Sequence, residues 1–405
     1  MSKKLSIITL GISLSSIVIL TGAMIVSQPK YKLKNIVGKQ SSLGDVVVFS
    51  QDNRGIYSRN NLILSKDNYE FNKNVKQNPE IYKYSKILNE NRDLFTYGIY
   101  DINRIYSDEN SVGYLEYIND LHTESNVKLL TTINEKNINT GKTIEFEIEI
   151  PNSLKPQNNI NYNPLVTKYE DNVYIALIGE QENSPNIKKG EKDELEDYVE
   201  ISKVDFNARE AKPVNKINMK IDKDTKYRVV NYNSFTVDNR IYFFMKNKEQ
   251  SKNIYYLAYY DIENNKFDYI NNRINLSLPL DQYLLDIEWE MLNLLIYSVE
   301  KDKVNLNLTS INLDSEKLIF NNEKYSINKL NKEINISDFR VIDNKIYMLA
   351  SAWMDYKSNI LDSRNNYTEN IIVVDKTSKS TLYIGEYRQG TEFTANSYII
   401  KNEDL

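Results

Sequence analysis

Chemistry that needs an imidazole or a thiolate has one residue to work with in this sequence. His122 is the only histidine, and there is no cysteine. A Ser-His-Asp arrangement would have to pass through His122, and a zinc site needing two or three imidazoles cannot be assembled. A disulfide framework, a thiol nucleophile and a thiolate metal site are equally excluded. His122 sits in Asn119-Asp-Leu-His-Thr-Glu124, a polar stretch that reads as an exposed turn.

Carboxylates are the remaining chemistry. Paired Asp and Glu side chains hydrolyse glycosidic bonds when their carboxyl groups stand about 5 to 9.5 Å apart. Acidic residues recur along the chain, but the recurrent ones, Asp238, Asp261, Asp343 and Asp375, fall at hairpin turns. Asp and Asn tolerate the left-handed backbone of a tight turn, which accounts for them without catalysis. No phosphate-cradling glycine loop and no dinucleotide fingerprint occurs, so no cofactor is expected. The formal charge of -5 has both signs interspersed and leaves no basic stripe for nucleic acid. No catalytic, cofactor-binding or metal-binding residue is assigned from the sequence.

The elements that carry these turns repeat. In Thr236–Lys266, Thr236-Val237 and Ile241–Phe244 flank Asp238-Asn239, the signature of a hairpin. Ile254–Tyr260 is a further apolar run, ended by Asp261-Ile-Glu-Asn-Asn-Lys266 and followed by Phe267–Ile270. This predicts a four-stranded meander. Val341–Tyr347 repeats the first hairpin, and Ile371–Asp375 with Lys376–Lys379 repeats the second. Tyr169–Tyr174 aligns without a gap on Val237–Tyr242. Weaker copies surround Tyr57, Tyr106 and Tyr297. Tyr57, Tyr106, Tyr174, Tyr242, Tyr297 and Tyr347 thus mark units of about fifty to seventy residues, a period that belongs to propellers.

The pattern resembles bacterial β-propeller repeats in general, across about Val46–Tyr387. It carries no Trp-Asp repeat ends, no kelch-type Gly-Gly pairs and no sialidase-type Asp-box. The resemblance implies an all-β, β-propeller-like domain of about six four-stranded blades, because one such sheet cannot bury both faces alone. It assigns no activity.

Ahead of the repeats, Leu5–Val26 carries no charge, and none follows until Lys30. As a helix this run reaches roughly 33 Å at about 1.5 Å per residue, enough to cross a hydrocarbon core. With Lys3 and Lys4 before it, it reads as an uncleaved transmembrane signal anchor. A cleaved signal peptide ending near Thr21-Gly-Ala23, with secretion, is the competing reading. Lys30, Lys32, Lys34 and Lys39 balance the basic residues in front, so charge alone does not orient the segment. The organisation expected is a cytoplasmic segment 1–4, an anchor 5–26, a polar stalk 27–44 and a domain 45–405 outside the cell. Within it, 179–197 is expected to be a polar loop, and Ile81, Tyr84 and Leu88 predict a short helix in Pro79–Asn91. Asp281–Val299 fits both helical and alternating spacing, and the repeat favours strands there. Ser397–Ile400 is expected to pair with Val46–Phe49 and close the ring.

Three functional readings remain open. One is a membrane-anchored, non-catalytic recognition module whose partner is a protein or a cell-surface glycan. The alternative is a carboxylate-dependent carbohydrate-active hydrolase on the same scaffold. An accessory subunit of a membrane complex is a third.

Overall fold

The computed structural model describes residues 32–53, 59–73, 90–91, 94, 104–116, 119–122, 127–150, 160–182, 195–218, 227–230, 234–237, 239–247, 254–270, 274–276, 279–288, 290–300, 303–313, 320–328, 330, 334–353, 367–388 and 396–401. The apolar run Leu5–Val26, Tyr57, Asp238 and most of Pro79–Asn91 lie outside the described residues.

The described chain is almost entirely strand. It begins with β1 (Lys32–Gly38), β2 (Val46–Asn53), β3 (Arg59–Leu64) and β4 (Tyr69–Lys73). There follow β5 (Ile105–Ser107), β6 (Ser111–Leu115), β7 (Asn119–His122), β8 (Val127–Asn137) and β9 (Thr143–Ile150). Next come β10 (Ile160–Tyr169), β11 (Asn172–Glu182), β12 (Leu195–Asp205) and β13 (Glu210–Asn218). β14 (Tyr227–Val229), β15 (Phe235–Val237), β16 (Arg240–Asn247), β17 (Ile254–Asp261), β18 (Lys266–Tyr269) and β19 (Ile274–Asn275) form the next group. β20 (Leu284–Glu288), β21 (Met291–Glu300), β22 (Lys303–Asn312) and β23 (Phe320–Asn328) precede β24 (Ile334–Ile342), β25 (Lys345–Trp353), β26 (Tyr367–Asp375) and β27 (Thr381–Arg388), and β28 (Asn396–Lys401) is last.

Among the described residues these strands make five sheets, built mostly from sequence neighbours paired antiparallel. β20 to β23 and β24 to β27 are plain meanders, and β16 to β18 form the centre of a third with β14, β15 and β19 at its flanks. The nine-stranded sheet is two meanders, β5 to β9 and β10 to β13, joined by a single parallel pair at Glu149 and Glu210. In the remaining sheet the order is β28-β2-β3-β4, so the end of the chain supplies the first strand of the earliest sheet. Val46 faces Lys401 and Phe49 faces Tyr398, the closure expected from the sequence.

Alternation explains how the sheets stack. Along β16, Ile241, Phe243 and Met245 pack with Val199 and Ile201 of β12, while Tyr242 and Phe244 pack with Leu292 and Leu294 of β21. Side chains at period two point to opposite faces, and here both faces are buried, so this sheet is held between two others. The same holds onward: Leu306 and Leu308 meet Ile346 and Met348, and Leu349 and Ile371 meet Val46 and Ile399. Ile133 and Ile148 meet Val173 and Ile175 on the other side. Each fully buried residue of this kind contributes about 1.5–3 kcal/mol relative to exposure. The first strands of neighbouring sheets also touch, β5 with β10, β10 with β15, β20 with β24 and β24 with β28. Sheets packed face to face in sequence order, with first strands converging and the ends of the chain joined, make a β-propeller-like fold.

Turn chemistry repeats with the sheets. The third-to-fourth strand connections Asn137–Lys142, Asp205–Glu210, Asp261–Lys266 and Asp375–Ser380 share one construction. The leading Asn or Asp accepts a hydrogen bond from the amide three residues on, at Thr140 (2.8 Å), Ala208 (3.0 Å), Asn264 (3.0 Å) and Ser378 (2.7 Å). The residue four on is left-handed, with φ of 68° at Gly141, 55° at Arg209, 49° at Asn265 and 55° at Lys379. Asp261 and Asp375 are therefore turn formers.

Several expectations need correction. Lys32–Gly38 is not a stalk: β1 lies along β27 as a fifth, outer strand, followed by a 3₁₀ turn at Gln40–Leu43. Its polar composition suits a sheet edge, where one face meets water. The 179–197 segment is not all loop, because β11 and β12 run on to pair Glu182 with Leu195, and residues 183–194 lie outside the described residues. Asp281–Val299, by contrast, forms strands as the repeat favoured, β20 and β21, after a short 3₁₀ turn at Leu280–Gln282.

Candidate functional site

First strands from three neighbouring groups, β5, β10 and β15, end beside one another and enclose a cavity of about 510 Å³. Its wall includes Tyr106, Thr167, Lys168, Tyr169, Thr236 and Asn239. This mouth lies where the first strands converge and is predominantly polar in its side chains.

Its residues are fixed by specific contacts. The Tyr106 ring lies across Gly113 on the partner strand; a Cβ there would stand 2.3 Å from the ring. The Tyr106 hydroxyl donates to Glu135 Oε2 at 2.9 Å. Burial, then the Glu135 carboxylate, pushes this phenol well above its ordinary range. Lys168 reaches back from β10, its side chain only 7% exposed, and its Nζ lies 2.9 Å from Asp108 Oδ2 and 3.9 Å from Glu135 Oε2. It also donates to Ser111 Oγ. Asp108 Oδ1 accepts the amides of Asn110 (2.8 Å) and Ser111 (2.7 Å). Burial raises the Asp108 carboxyl, but the Lys168 hydrogen bond and these amides outweigh it and hold the group below the usual carboxylate range. On the far side, Asn239 Nδ2 donates to Glu263 Oε2 at 3.1 Å. Partial desolvation and the Glu263 charge raise Tyr169.

Further round the first strands, carboxylates are structural. A first strand is a sheet edge, so its outward N–H groups lack a ladder partner. Asp286 Oδ2 on β20 accepts the Val341 amide of β24 at 2.8 Å, and its Oδ1 lies 2.8 Å from Arg340 Nε. Asp338 Oδ2 on β24 accepts the Ile399 amide of β28 at 3.0 Å. These carboxylates join one sheet to the next.

A second cavity, of about 670 Å³, lies on β21, β22 and β23. Its wall includes Tyr297, Asn307, Tyr325 and Ser326, with Lys379 arriving from the β26–β27 turn.

The residues singled out by sequence stand elsewhere. His122 ends β7 opposite Val127, and neither cavity's described wall includes it. Asp261, Asp343 and Asp375 occupy hairpin turns, while Asp238 lies outside the described residues. Tyr106, Lys168, Asp108 and Glu135 come together only in the fold. A lysine inside the apolar run Leu165–Tyr169 was their one sequence signal. Among the described residues no group of three or more His, Cys, Asp or Glu side chains could hold a metal ion. No helix among them is long and apolar enough to cross a membrane.

No family model matches this chain, and no curated protein matches it. Solved structures overlap with it loosely. The sialidase of Trypanosoma rangeli aligns at a TM-score of 0.33 and 9% identity, over 70% of this chain and 53% of its own. This chain therefore spans about half the length of that protein. An apocarotenoid oxygenase mutant from Synechocystis aligns at 0.32 and 8% identity, over 90% and 82% of the two chains. A GH43 β-1,3-galactosidase aligns at 0.30 and 10%, over 69% and 92%. Overlap at this level does not bear on what this chain binds or does.

Proposed function

We propose that this chain is a membrane-anchored propeller of six blades that stands outside the cell and recognises a protein or glycan partner without transforming it. Leu5–Val26 is its single-pass anchor. The six blades are the meanders begun by β28, β5, β10, β15, β20 and β24.

One observation supports recognition over hydrolysis: Asp108, Glu135, Asp286 and Asp338 are engaged in holding the fold, which leaves Glu170 as the single exposed carboxylate on the mouth's described wall. Asp108 and Glu135 neutralise Lys168, while Asp286 and Asp338 accept backbone amides of the next sheet. A glycosidase needs one carboxyl free to protonate and another free to attack or to activate water. Beside that one carboxylate the mouth offers phenol, hydroxyl and amide groups, which suits binding.

The test uses the full-length protein in membranes. External protease should digest the domain in intact cells, and alkaline extraction should leave the chain in the membrane. Soluble glycans and surface-protein fractions are then tested for binding and for turnover. Binding without product, weakened by Thr236→Trp or Asn239→Trp at the mouth, is the expected result. Released sugar would overturn it in favour of a hydrolase.

A further inference from the structure

We propose that the occupant of the mouth is an extended, basic segment of a protein partner, held by its main chain along the inner strand edges and by a Lys or Arg side chain at Glu170. This rests on the recognition reading above and narrows it from protein or glycan to protein.

The wall of the mouth is a set of strand edges. A sheet face presents alternate residues, whereas this wall takes Ile105–Ser107 and Val166–Glu170 consecutively. In an antiparallel pair every second residue bonds across the ladder, and the residues between turn their N–H and C=O the other way. The hairpin closes at Tyr169 and Asn172 between β10 and β11, and at Val237 and Arg240 between β15 and β16. Between β5 and β6 the Asp108 amide donates to the Ser111 carbonyl at 2.9 Å. The residue before each closure, Lys168, Thr236 and Ser107, therefore turns its backbone N–H and C=O away from the second strand and toward the cavity. Among the described residues nothing pairs with these groups.

Elsewhere in the fold the protein fills this position itself. Val341 stands before the closure of Ile342 with Lys345, and its amide is taken by Asp286 Oδ2 at 2.8 Å. The Ile399 amide is taken by Asp338 Oδ2 at 3.0 Å. At the mouth the corresponding carboxylate is missing. Asp286 sits two residues before its own closure at Glu288, and that place is held by Tyr106 on β5 and by Thr167 on β10. Strand edges left open in this way are what an added extended segment uses: its main chain supplies affinity and its side chains supply specificity.

Charge chooses the side chains. Asp108 and Glu135 outnumber Lys168 on one side of the mouth. On the other, Glu263, Glu170 and Asp261 all act on the Tyr169 phenol, and Arg240 pairs with Asp261 at 3.7 Å. The balance is negative. Glu170, exposed at a hairpin tip with φ of 53°, is the carboxylate open to an incoming cation. An acidic segment is repelled there, and a neutral glycan leaves that charge unanswered.

The test is fluorescence anisotropy on the full-length chain in a neutral detergent. The probe is a labelled, end-blocked Thr-Lys-Thr-Arg-Thr peptide. The controls are Thr-Glu-Thr-Glu-Thr, the basic peptide with an N-methylated backbone, and maltotriose as competitor. The basic peptide should bind in the millimolar range or tighter, and more weakly as salt rises. N-methylation keeps the charge and removes the donors, and should weaken binding about tenfold, as should Glu170→Gln. Thr236→Pro deletes one inward N–H and no ladder bond, a change an edge strand tolerates, and should weaken binding several-fold at an unchanged unfolding midpoint. Glu147→Gln, an exposed acid of β9 outside the mouth's described wall, should change nothing. The proposal is overturned if the basic peptide binds no better than the acidic one, if the N-methylated peptide binds equally, if maltotriose displaces the probe, or if both mouth variants bind as the parent does. Those results leave recognition standing, whereas a probe recovered cleaved would overturn recognition itself.

Discussion

Removing the last strand tests the closure of the fold most directly. Truncation after Gln389 deletes β28 and with it Ile399 and Ile400, which are 0% and 1% exposed. Burial of two such side chains is worth about 3–6 kcal/mol. The deletion also strips β2 of its partner, turning Val46–Phe49 into an open edge, and leaves Asp338 buried without the Ile399 amide. Losing that hydrogen bond to a charged acceptor costs about 1–3 kcal/mol more. The sum, about 4–9 kcal/mol, rivals the whole stability of an ordinary domain, about 5–15 kcal/mol. Thermal unfolding followed by near-ultraviolet circular dichroism, where tyrosine reports packing, should show the midpoint falling by about 10 °C or more. The single change Asp338→Ala should give a smaller loss, about 1–3 kcal/mol, because it unpairs the Ile399 amide and leaves the β28 side chains buried. A synthetic peptide of residues 396–401 added to the truncated protein should raise the midpoint again. A truncated protein that unfolds where the parent does would refute the reasoning, because β28 could not then be completing the first sheet.

Gly113→Ala should force the Tyr106 ring off its seat, break the bond to Glu135 and destabilise the domain by about 1–3 kcal/mol, read by thermal unfolding. Asp108 has its carboxyl held below the unfolded value of about 3.9, so its contribution is present above that pH and lost as pH falls through the lower folded value. Acid unfolding below about pH 4 should therefore be shallower in Asp108→Asn than in the parent, and equal acid profiles would count against the Lys168 pairing. Asp261→Ala should cost about 1 kcal/mol by releasing the Asn264 amide, whereas Arg209→Gly should be neutral to slightly stabilising because it relieves a left-handed side chain. A cost for Arg209→Gly as large as that of Asp261→Ala would show that the shared turn has been misread.

Turns were the most legible part of this chain. Tyr169 pairs with Asn172, Val237 with Arg240 and Ile342 with Lys345, so the aligned sequence hairpins share one register. The weaker copies slipped. Tyr106 lies on a first strand, and the residue matching Tyr174 and Tyr242 is its partner Gly113 on the next strand. Tyr297 lies far along β21, and the matching position holds Asn293, whose Oδ1 accepts Ser310 Oγ at 2.7 Å. An Ile-Tyr pair marks a strand but not which strand, because central strands such as β16 are buried on both faces and apolar pattern alone fixes no register there. The candidate sites were hidden for a different reason. Lys168 meets Asp108, and Lys379 meets Tyr325, only after sheets distant in sequence have stacked.

The two ends of the described chain perform separate tasks. β28 joins the inner, first position of one sheet, while β1 joins the outer edge of another, from Lys32 beside Arg388 to Gly38 beside Tyr383. If Leu5–Val26 is the anchor proposed above, β1 is the first folded element behind it, and any pull from the membrane arrives there. An outer strand is covered on one side only, so it can peel away while the inner closure through β28, Asp338 and the Ile399 amide stays intact. Hydrogen exchange on the full-length protein should then find β1 amides opening well before those of β28. Equal protection of the two strands would mean that attachment and closure form one cooperative unit, and a load on the tether would be a load on the ring.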